Sequence, residues 1–314
     1  METGGRSRRA VVKFKIEYYL AKTVGMAARG LSQKTAYFIG DRLGDIFFYL
    51  VRKRRDVAFA NLKRVFGSEK TDKELMRIVH LNYRHFGRTL MEFARIPVLT
   101  KENILQEIPV HNREILEKAL SRNRGVLVLS GHFGNWEYLA ATIAQIGPPL
   151  YAVFKEQKNL LVDDLIKQQR ISLGLLPLKV KGGAARGTLM ALKTGAKVLI
   201  LFDQDAGGKG IFVEFLGTPA STTDGPAKIA IRHGVPAVMA ISYRTKKRGI
   251  EVVLEEFPSP EQFSNDQAGI IEFIKEYNKR LEKYIRKYPE QWFWMHRRWL
   301  TWERHKEKEQ SNHI

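Results

Sequence analysis

The sequence predicts an α/β protein: a mixed sheet layered with helices, with a helical N-terminal portion. Three observations predict it. Apolar residues in the first hundred positions recur at helical spacing. From Gly125 onward, short apolar runs alternate with longer amphipathic segments. That alternation is the signature of a helix-covered sheet. Finally, 44% of the residues are hydrophobic, enough to fill a large core.

The helical portion comes first. Tyr18, Tyr19, Leu20, Val24 and Leu31 mark one helix. Phe38, Ile39, Leu43, Ile46, Phe47 and Leu50 mark a second, which meets the basic run Arg52–Arg55. Val57, Ala60, Leu62 and Phe66 mark a third, ending at Gly67. A fourth runs from Thr71 to Arg95 and ends before Pro97. Thr71 or Asp72 serves as its N-cap, and Glu74 sits in its first turn.

The sheet region follows. Val126–Leu129 is a fully apolar strand, and Asn135–Gln145 a helix. Leu150–Phe154, Lys197–Phe202, Val235–Tyr243 and Ile250–Leu254 read as further strands. Leu160–Ser172, Ala185–Lys193 and Gln267–Lys287 read as helices. Asp224-Gly225-Pro226 starts another helix, and Gly234 stops it. The expected organisation is a membrane-associating helical portion over 1–100, a catalytic α/β domain over 101–303 and a polar tail over 304–314.

Composition narrows the function. The chain has 53 Lys and Arg against 33 Asp and Glu, a formal net charge of +20. Such a chain seeks a polyanion: nucleic acid, anionic lipid or an acidic protein. With 17 Phe, 11 Tyr and 5 Trp, the mixture of basic and aromatic residues leans towards a membrane surface. There is no cysteine, which excludes thiolate nucleophiles, disulfides and iron–sulfur clusters. Lys13, Lys15, Glu17, Lys22 and Arg29 interrupt Val11–Leu31, so neither a secretory signal nor a clean membrane span is expected there. The chain is expected to stay inside the cell and, where it meets a membrane, to lie on it or be held by one marginal N-terminal helix.

The chemistry concentrates in Ser130-Gly131-His132-Phe133-Gly134-Asn135-Trp136-Glu137, which follows an apolar strand and opens a helix. Sites of open α/β sheets gather at such strand ends. Gly131 and Gly134 bracket the histidine, so a ligand can approach the backbone. On one helix His132 and Glu137 would lie about 140° apart and not touch. With His132 in the turn and Glu137 in the first helical turn, the carboxylate can swing back to the imidazole. A carboxylate on one ring nitrogen fixes the tautomer and supports the imidazolium formed at the other. That makes a general base for a hydroxyl nucleophile. The structural alternative is a capping histidine with Glu137 answering the helix dipole.

This motif resembles the H-x-x-x-x-(D/E) motif of the lysophospholipid acyltransferase superfamily. More closely, the chain resembles the bacterial lipid A biosynthesis acyltransferases of lauroyl and myristoyl type. The resemblance extends through Asn61-Leu62, Glu92-Phe93, Phe202-Asp203-Gln204-Asp205, Phe215–Thr222 and Pro289–Trp299, in order from about Tyr18 to Trp299. It implies transfer of a fatty acyl chain from an acyl carrier protein thioester to a hydroxyl of a Kdo-bearing lipid A precursor. His132 would be the base and Glu137 its orienting partner, with no acyl-enzyme, metal or cofactor. The resemblance makes Gly131, Asn135, Arg170, Asp203 and Asp205 substrate-binding residues, Arg170 for a phosphate or sugar carboxylate of the acceptor.

Other features keep two readings each. Asp203 and Asp205 flank Gln204 and could bind Mg²⁺, but no further ligand cluster lies nearby in sequence. Arg170 is also readable as a helix-face charge, as is the weaker case Lys155. Gly182–Gly187 is readable as a phosphate cradle or a flexible turn. Lys246-Lys247-Arg248 reads as a basic hairpin turn that could meet an acidic carrier protein. The runs Arg6–Arg9 and Arg52–Arg55 suit anionic lipid. Trp292, Trp294, Trp299 and Trp302 suit either a membrane surface or core packing, and His296 reads as structural. The partners expected are acyl carrier protein, a lipid acceptor and an anionic membrane, without nucleic acid. Rival functions are acylation of another glycolipid or aminolipid, nucleic-acid binding suggested by charge alone, and an inactive lipid-binding relative.

Overall fold

Four helices precede the sheet: α1 (Arg8–Arg29), α2 (Gln33–Leu50), α3 (Arg52–Phe66) and α4 (Asp72–Ala94). A computed structural model describes residues 8–153, 157–178, 183–245 and 249–311, with side chains from residue 11 onward. Lys155, Gly182, residues 246–248 and the side chains of Arg6–Arg9 lie outside the described residues. Thr71 caps α4 as the sequence suggests. Its hydroxyl accepts from the Glu74 amide while the Glu74 carboxylate accepts from the Thr71 amide. Helices α2 and α4 pack together and are tied by paired forks, Arg88 to Asp41 at 2.6 Å twice and Arg84 to Asp45 at 2.5 and 3.1 Å.

The sheet follows. Its strands are β1 (Val110–His111), β2 (Val126–Ser130), β3 (Leu150–Ala152), β4 (Leu175–Pro177), β5 (Lys197–Leu201), β8 (Ala237–Thr245) and β9 (Gly249–Glu256), in the order β1-β9-β8-β2-β5-β3-β4. All neighbours run parallel except β8 and β9, so the sheet is mixed as expected. A separate antiparallel pair, β6 (Ile211–Phe215) and β7 (Thr218–Thr222), turns through Leu216 and Gly217. Both turn residues have positive φ, 52° and 79°, the geometry of a tight hairpin turn. The sequence reading missed this pair because Pro219, Ser221 and Thr222 hide its alternation.

Helices cover both faces. They are α5 (Ile104–Glu107), α6 (Arg113–Leu120), α7 (Trp136–Ala144), α8 (Leu160–Ser172), α9 (Ala184–Lys193), α10 (Gly225–His233), α11 (Gln267–Lys287) and α12 (Leu300–Ser311). The alternation of β2 divides the core. Val126 and Val128 pack with Leu139 and Ile143 of α7; Leu127 and Leu129 pack on the other side with Phe273 and Leu281 of α11. A strand buried on both faces reads as an uninterrupted apolar run, as β2 does. The stretch expected as a polar tail is helical as far as Ser311.

The aromatic segment after α11 is core. Trp292, Trp294 and Trp299 are at most 1% exposed, so these rings do not form a membrane belt. Arg298 of the same segment is also fully buried, over the Phe215 ring, and its guanidinium donates to the carbonyls of Gln204 and Ser221 and to the Thr222 hydroxyl. The reason is packing: Trp292 meets Trp294 edge-on with ring centres 4.6 Å apart, and both sit over the end of the sheet.

One buried cation anchors α7. Lys197 of β5 is wholly enclosed and donates to the carbonyls of Ile143 and Ile146 at the end of that helix. Burial, assisted by the charge of Arg113, pushes its pKa down to about 7. Replacing Lys197 with Met leaves those carbonyls without their donor. The expected loss is about 1–3 kcal/mol, read as a lower denaturant midpoint.

Candidate active site

The parallel register of β2 and β5 brings the central pair together. Ser130 is the partner of Leu201, the last residue of each strand. His132 and Asp203 each lie two residues further on, so they emerge side by side at the carboxyl edge of the sheet. The His132 ring nitrogen Nδ1 is 2.7 Å from Asp203 Oδ1. The His132 amide donates to Asp203 Oδ2 at 2.8 Å, as does the indole N–H of Trp292. One buried carboxylate therefore holds both the ring and the backbone of the histidine.

Charge follows from this arrangement. Burial favours the neutral form of His132, but the adjacent Asp203 charge and hydrogen bond, aided by the charge of Glu137, overcome it. The net result is a raised imidazole pKa. Asp203 is also pushed up by burial, and the imidazole, the Trp292 N–H and the His132 amide reverse this, leaving it below the usual carboxylate range. Asp203 is thus an acceptor, Nδ1 carries the proton, and Nε2 is left as the basic nitrogen.

Here the structure departs from the sequence expectation. Asp203, not Glu137, is the carboxylate on the imidazole. Glu137 lies in the first turn of α7, and its carboxylate is taken in a fork by Arg170 of α8, at 2.9 Å from Nε and 2.5 Å from Nη2. Both remain beside His132, since all three line one cavity of about 520 Å³. Trp136 stands edge-on to the imidazole at 5.2 Å, closing its flank. Beyond this polar mouth, Ala140, Ala152, Leu175, Leu199 and Leu201 give the cavity an apolar wall.

The other expected site residues have supporting places. Gly131 packs against Leu281 and Asp203, where a Cβ would sit 2.8 and 3.0 Å from their nearest atoms. This glycine serves close packing at the strand end. Asn135 is fully buried and is not among the residues lining the cavity. Its Oδ1 accepts the amides of Glu137 and Tyr138 and so caps α7, while its Nδ2 donates to Glu92 at 2.8 Å. Asp205 caps α12, accepting the amide and hydroxyl of Thr301, both at 2.8 Å, and the amide of Gly207. Asp203 and Asp205 therefore spend their oxygens on separate protein donors. Among the described residues, no group of three or more His, Asp or Glu is placed to hold a metal ion. His296 is structural as expected, its Nε2 accepting from the Asp205 amide at 2.9 Å.

The sequence reading gave no role to the buried network behind the turn. Glu92 of α4 pairs in a fork with Arg244 of β8 at 2.5 and 2.8 Å and accepts from Tyr37 at 2.6 Å and from Asn135. His85 donates to the Gly134 carbonyl at 2.9 Å; burial, with help from Arg244, holds its pKa near 3, so it stays neutral. Gly134 itself has φ 59°, and a Cβ there would collide with the Ser242 carbonyl. A charged residue on the buried stripe of an amphipathic helix was the available signal for Glu92.

Residues 5–301 match the family described as bacterial lipid A biosynthesis acyltransferase. The chain belongs to this family. It is 26% identical over 265 residues to a lipid A biosynthesis palmitoleoyltransferase of Escherichia coli (strain K12), covering 84% of each chain. A lipid A biosynthesis lauroyltransferase of the same organism is 27% identical over 270 residues, covering 84% of this chain and 85% of its own. A phosphatidylinositol mannoside acyltransferase of Mycolicibacterium smegmatis is 24% identical over 248 residues, covering 77% and 78%. The protein is therefore an O-acyltransferase of lipid A biosynthesis.

Two predictions follow from this geometry. Asp203→Asn removes the charge that raises the His132 pKa, so the acid limb of the pH–rate profile moves to lower pH. The plateau rate falls by about 10²–10⁴, because an amide can hold the wrong tautomer. Arg244→Met strands the buried Glu92 carboxylate and lowers stability by about 3–5 kcal/mol, measured by denaturant unfolding.

Proposed function

We propose that the enzyme transfers a fatty acyl chain from an acyl carrier protein thioester to a hydroxyl of a Kdo-bearing lipid A precursor, with His132 as general base. The observation that carries this reading is the imidazole held by Asp203 at the mouth of a cavity with an apolar wall. The acceptor hydroxyl approaches Nε2 and gives up its proton as its oxygen attacks the thioester carbon. The tetrahedral intermediate expels the thiol sulfur, which takes the proton back from the imidazolium. Attack is direct, which suits a chain without cysteine. The acyl chain lies along Ala140, Ala152 and Leu199. Glu137 and Arg170 act at the polar mouth, where the fork orients the acceptor and the Glu137 charge favours the imidazolium.

The work takes place on an anionic membrane surface. Among the described residues no helix is long and apolar enough to cross a membrane. Yet α1 exposes Ile16 and Leu20 at 62% and 63%, and α2 exposes Phe38 and Leu50 at 64% and 73%. Arg52 and Lys53 stand exposed at the N-terminus of α3, where the helix dipole disfavours cations, and no acidic residue lies in that turn. Apolar side chains beside unneutralised cations suit anionic lipid at the cytoplasmic face of the inner membrane. The helical portion over 1–100 is then the membrane-associating part, and the net positive charge also suits an acidic carrier protein.

A second reading is favoured by the similarity to mycobacterial phosphatidylinositol mannoside acyltransferases. Under it the acceptor is another glycolipid, and the same base serves it.

Acyl transfer from a panel of acyl carrier protein and CoA thioesters to Kdo-lipid IVA tests the proposal. The wild type should transfer, and His132→Ala should lose at least about 10³ in kcat. Glu137→Gln should lose about 10–10². Wild-type transfer that survives His132→Ala would overturn the mechanism. Wild-type transfer to a mannosylated lipid but not to Kdo-lipid IVA would move the acceptor to the second reading. For the membrane, Phe47→Asp with Leu50→Asp should abolish flotation with anionic vesicles at moderate salt. Undiminished flotation would show that α2 is not the docking face.

A further inference from the structure

We propose that the side-chain amide of Gln204 is the hydrogen-bond donor that stabilises the oxyanion formed on the thioester carbonyl. This rests on the acyl-transfer reading above and names a reacting group in it. Gln204 Nε2 lies 3.3 Å from His132 Nε2. The Nδ1 proton is committed to the Asp203 carboxylate, so His132 Nε2 is an acceptor and the amide end facing it is the N–H end. A donor thus points at the atom from which the reaction starts.

The backbone of Gln204 is fixed. Its carbonyl accepts from the buried Arg298 at 3.1 Å, and the next amide, that of Asp205, donates to His296 at 2.9 Å. Asp203 on the other side is held by three donors. Among the described residues, the Gln204 side chain hydrogen-bonds the His132 ring alone. When the acceptor hydroxyl takes His132 Nε2, the amide gives up that partner.

The usual place for an oxyanion hole would be the turn itself, but four of its amides are engaged. His132 donates to Asp203, Phe133 to the Gly131 carbonyl, Gly134 to the Gln291 carbonyl and Asn135 to the Ser242 hydroxyl. The Trp292 indole N–H is likewise spent on Asp203. Gln204 is a side-chain donor beside the base.

Geometry then gives the role. The attacking oxygen and the oxyanion are bonded to the same carbon. A donor within hydrogen-bond reach of the base nitrogen is therefore beside the oxygen that gains charge. As the hydroxyl oxygen bonds to the thioester carbon, its proton passes to His132 Nε2 and the carbonyl π pair moves onto oxygen. The Gln204 N–H accepts none of these charges covalently; it donates to that oxyanion until the pair returns and the carbon–sulfur bond breaks. The thiolate leaves with the proton from His132.

The test compares wild type, Gln204→Met and Gln204→Asn by steady-state transfer across pH, and by hydrolysis of the acyl carrier protein thioester without lipid acceptor. Equal melting temperatures check that the variants fold. Gln204→Met should lose about 10²–10³ in plateau kcat in both reactions, with KM little changed. Gln204→Asn should recover part of that loss. If Gln204 merely covers the imidazole, Gln204→Met raises the His132 pKa and shifts the acid limb up, but reaches the wild-type plateau at high pH. That result, or a variant indistinguishable from wild type, overturns the proposal while leaving acyl transfer intact. A wild type inert towards lipid but active in hydrolysis shifts the acceptor and still tests Gln204. A wild type inert in both reactions removes the acyl-transfer reading and this inference with it.

Discussion

The Asp203 carboxylate accepts from the His132 ring, the His132 amide and the Trp292 indole, and most of the site depends on these bonds. A buried carboxylate is costly unless its lone pairs are filled by donors. Here the donors come from the strand end of β2 and from the C-terminal aromatic segment. Trp292 needs a hydrogen-bond partner for its buried N–H, and Asp203 needs a donor to remain ionised, so each satisfies the other. The same aromatic segment carries the buried Arg298, which holds the Gln204 carbonyl. Segments far apart in sequence therefore converge on one loop, residues 203–205, and set the tautomer of the His132 imidazole.

Behind the turn lies a second buried charge system. Glu92 and Arg244 neutralise each other, and Glu92 then fixes Asn135, whose Oδ1 starts α7. The direction of α7 decides where Glu137 points, and Lys197 ties down the opposite end of that helix. The helix carrying Glu137 is thus held at both ends by buried polar groups. A buried pair of this kind gives little net stability compared with apolar packing, but leaving one partner alone is expensive. Its value here is in position.

Much of this was legible in the sequence. The strand–turn–helix around His132 was marked by a continuous apolar run, two glycines and Asn135. The alternation after Gly125 marked the α/β layers, and Thr71 with Glu74 marked the start of α4. The partner of His132 was not legible, because H-x-x-x-x-E places a carboxylate nearby in sequence while the register of two parallel strands places another in space. Register depends on which strands pair, and no local spacing encodes that β5 lies beside β2. Asn135 and Asp205 look like ligand contacts in a linear motif because caps and ligand-binding residues use the same side chains. The aromatic segment was ambiguous for a similar reason: tryptophan beside arginine suits a membrane surface or a dense core, and only burial separates the two.

The two carboxylates near His132 illustrate how environment assigns roles to identical chemistry. Asp203 is sealed from solvent and filled by neutral and imidazole donors, so its charge acts at short range on one nitrogen. Glu137 is paired with a guanidinium at the cavity mouth, so its charge is partly cancelled and its orientation fixed. Arg170, which completes that pair, sits on α8, and the start of α8 is capped by Asn159. The Asn159 side chain also donates to the Phe14 carbonyl and the Glu17 carboxylate of α1. The helix with the exposed apolar face is therefore joined by hydrogen bonds to the helix that holds the polar mouth. Docking α1 on a lipid surface would fix α8 relative to that surface, and with it the side of the cavity from which a lipid acceptor must enter.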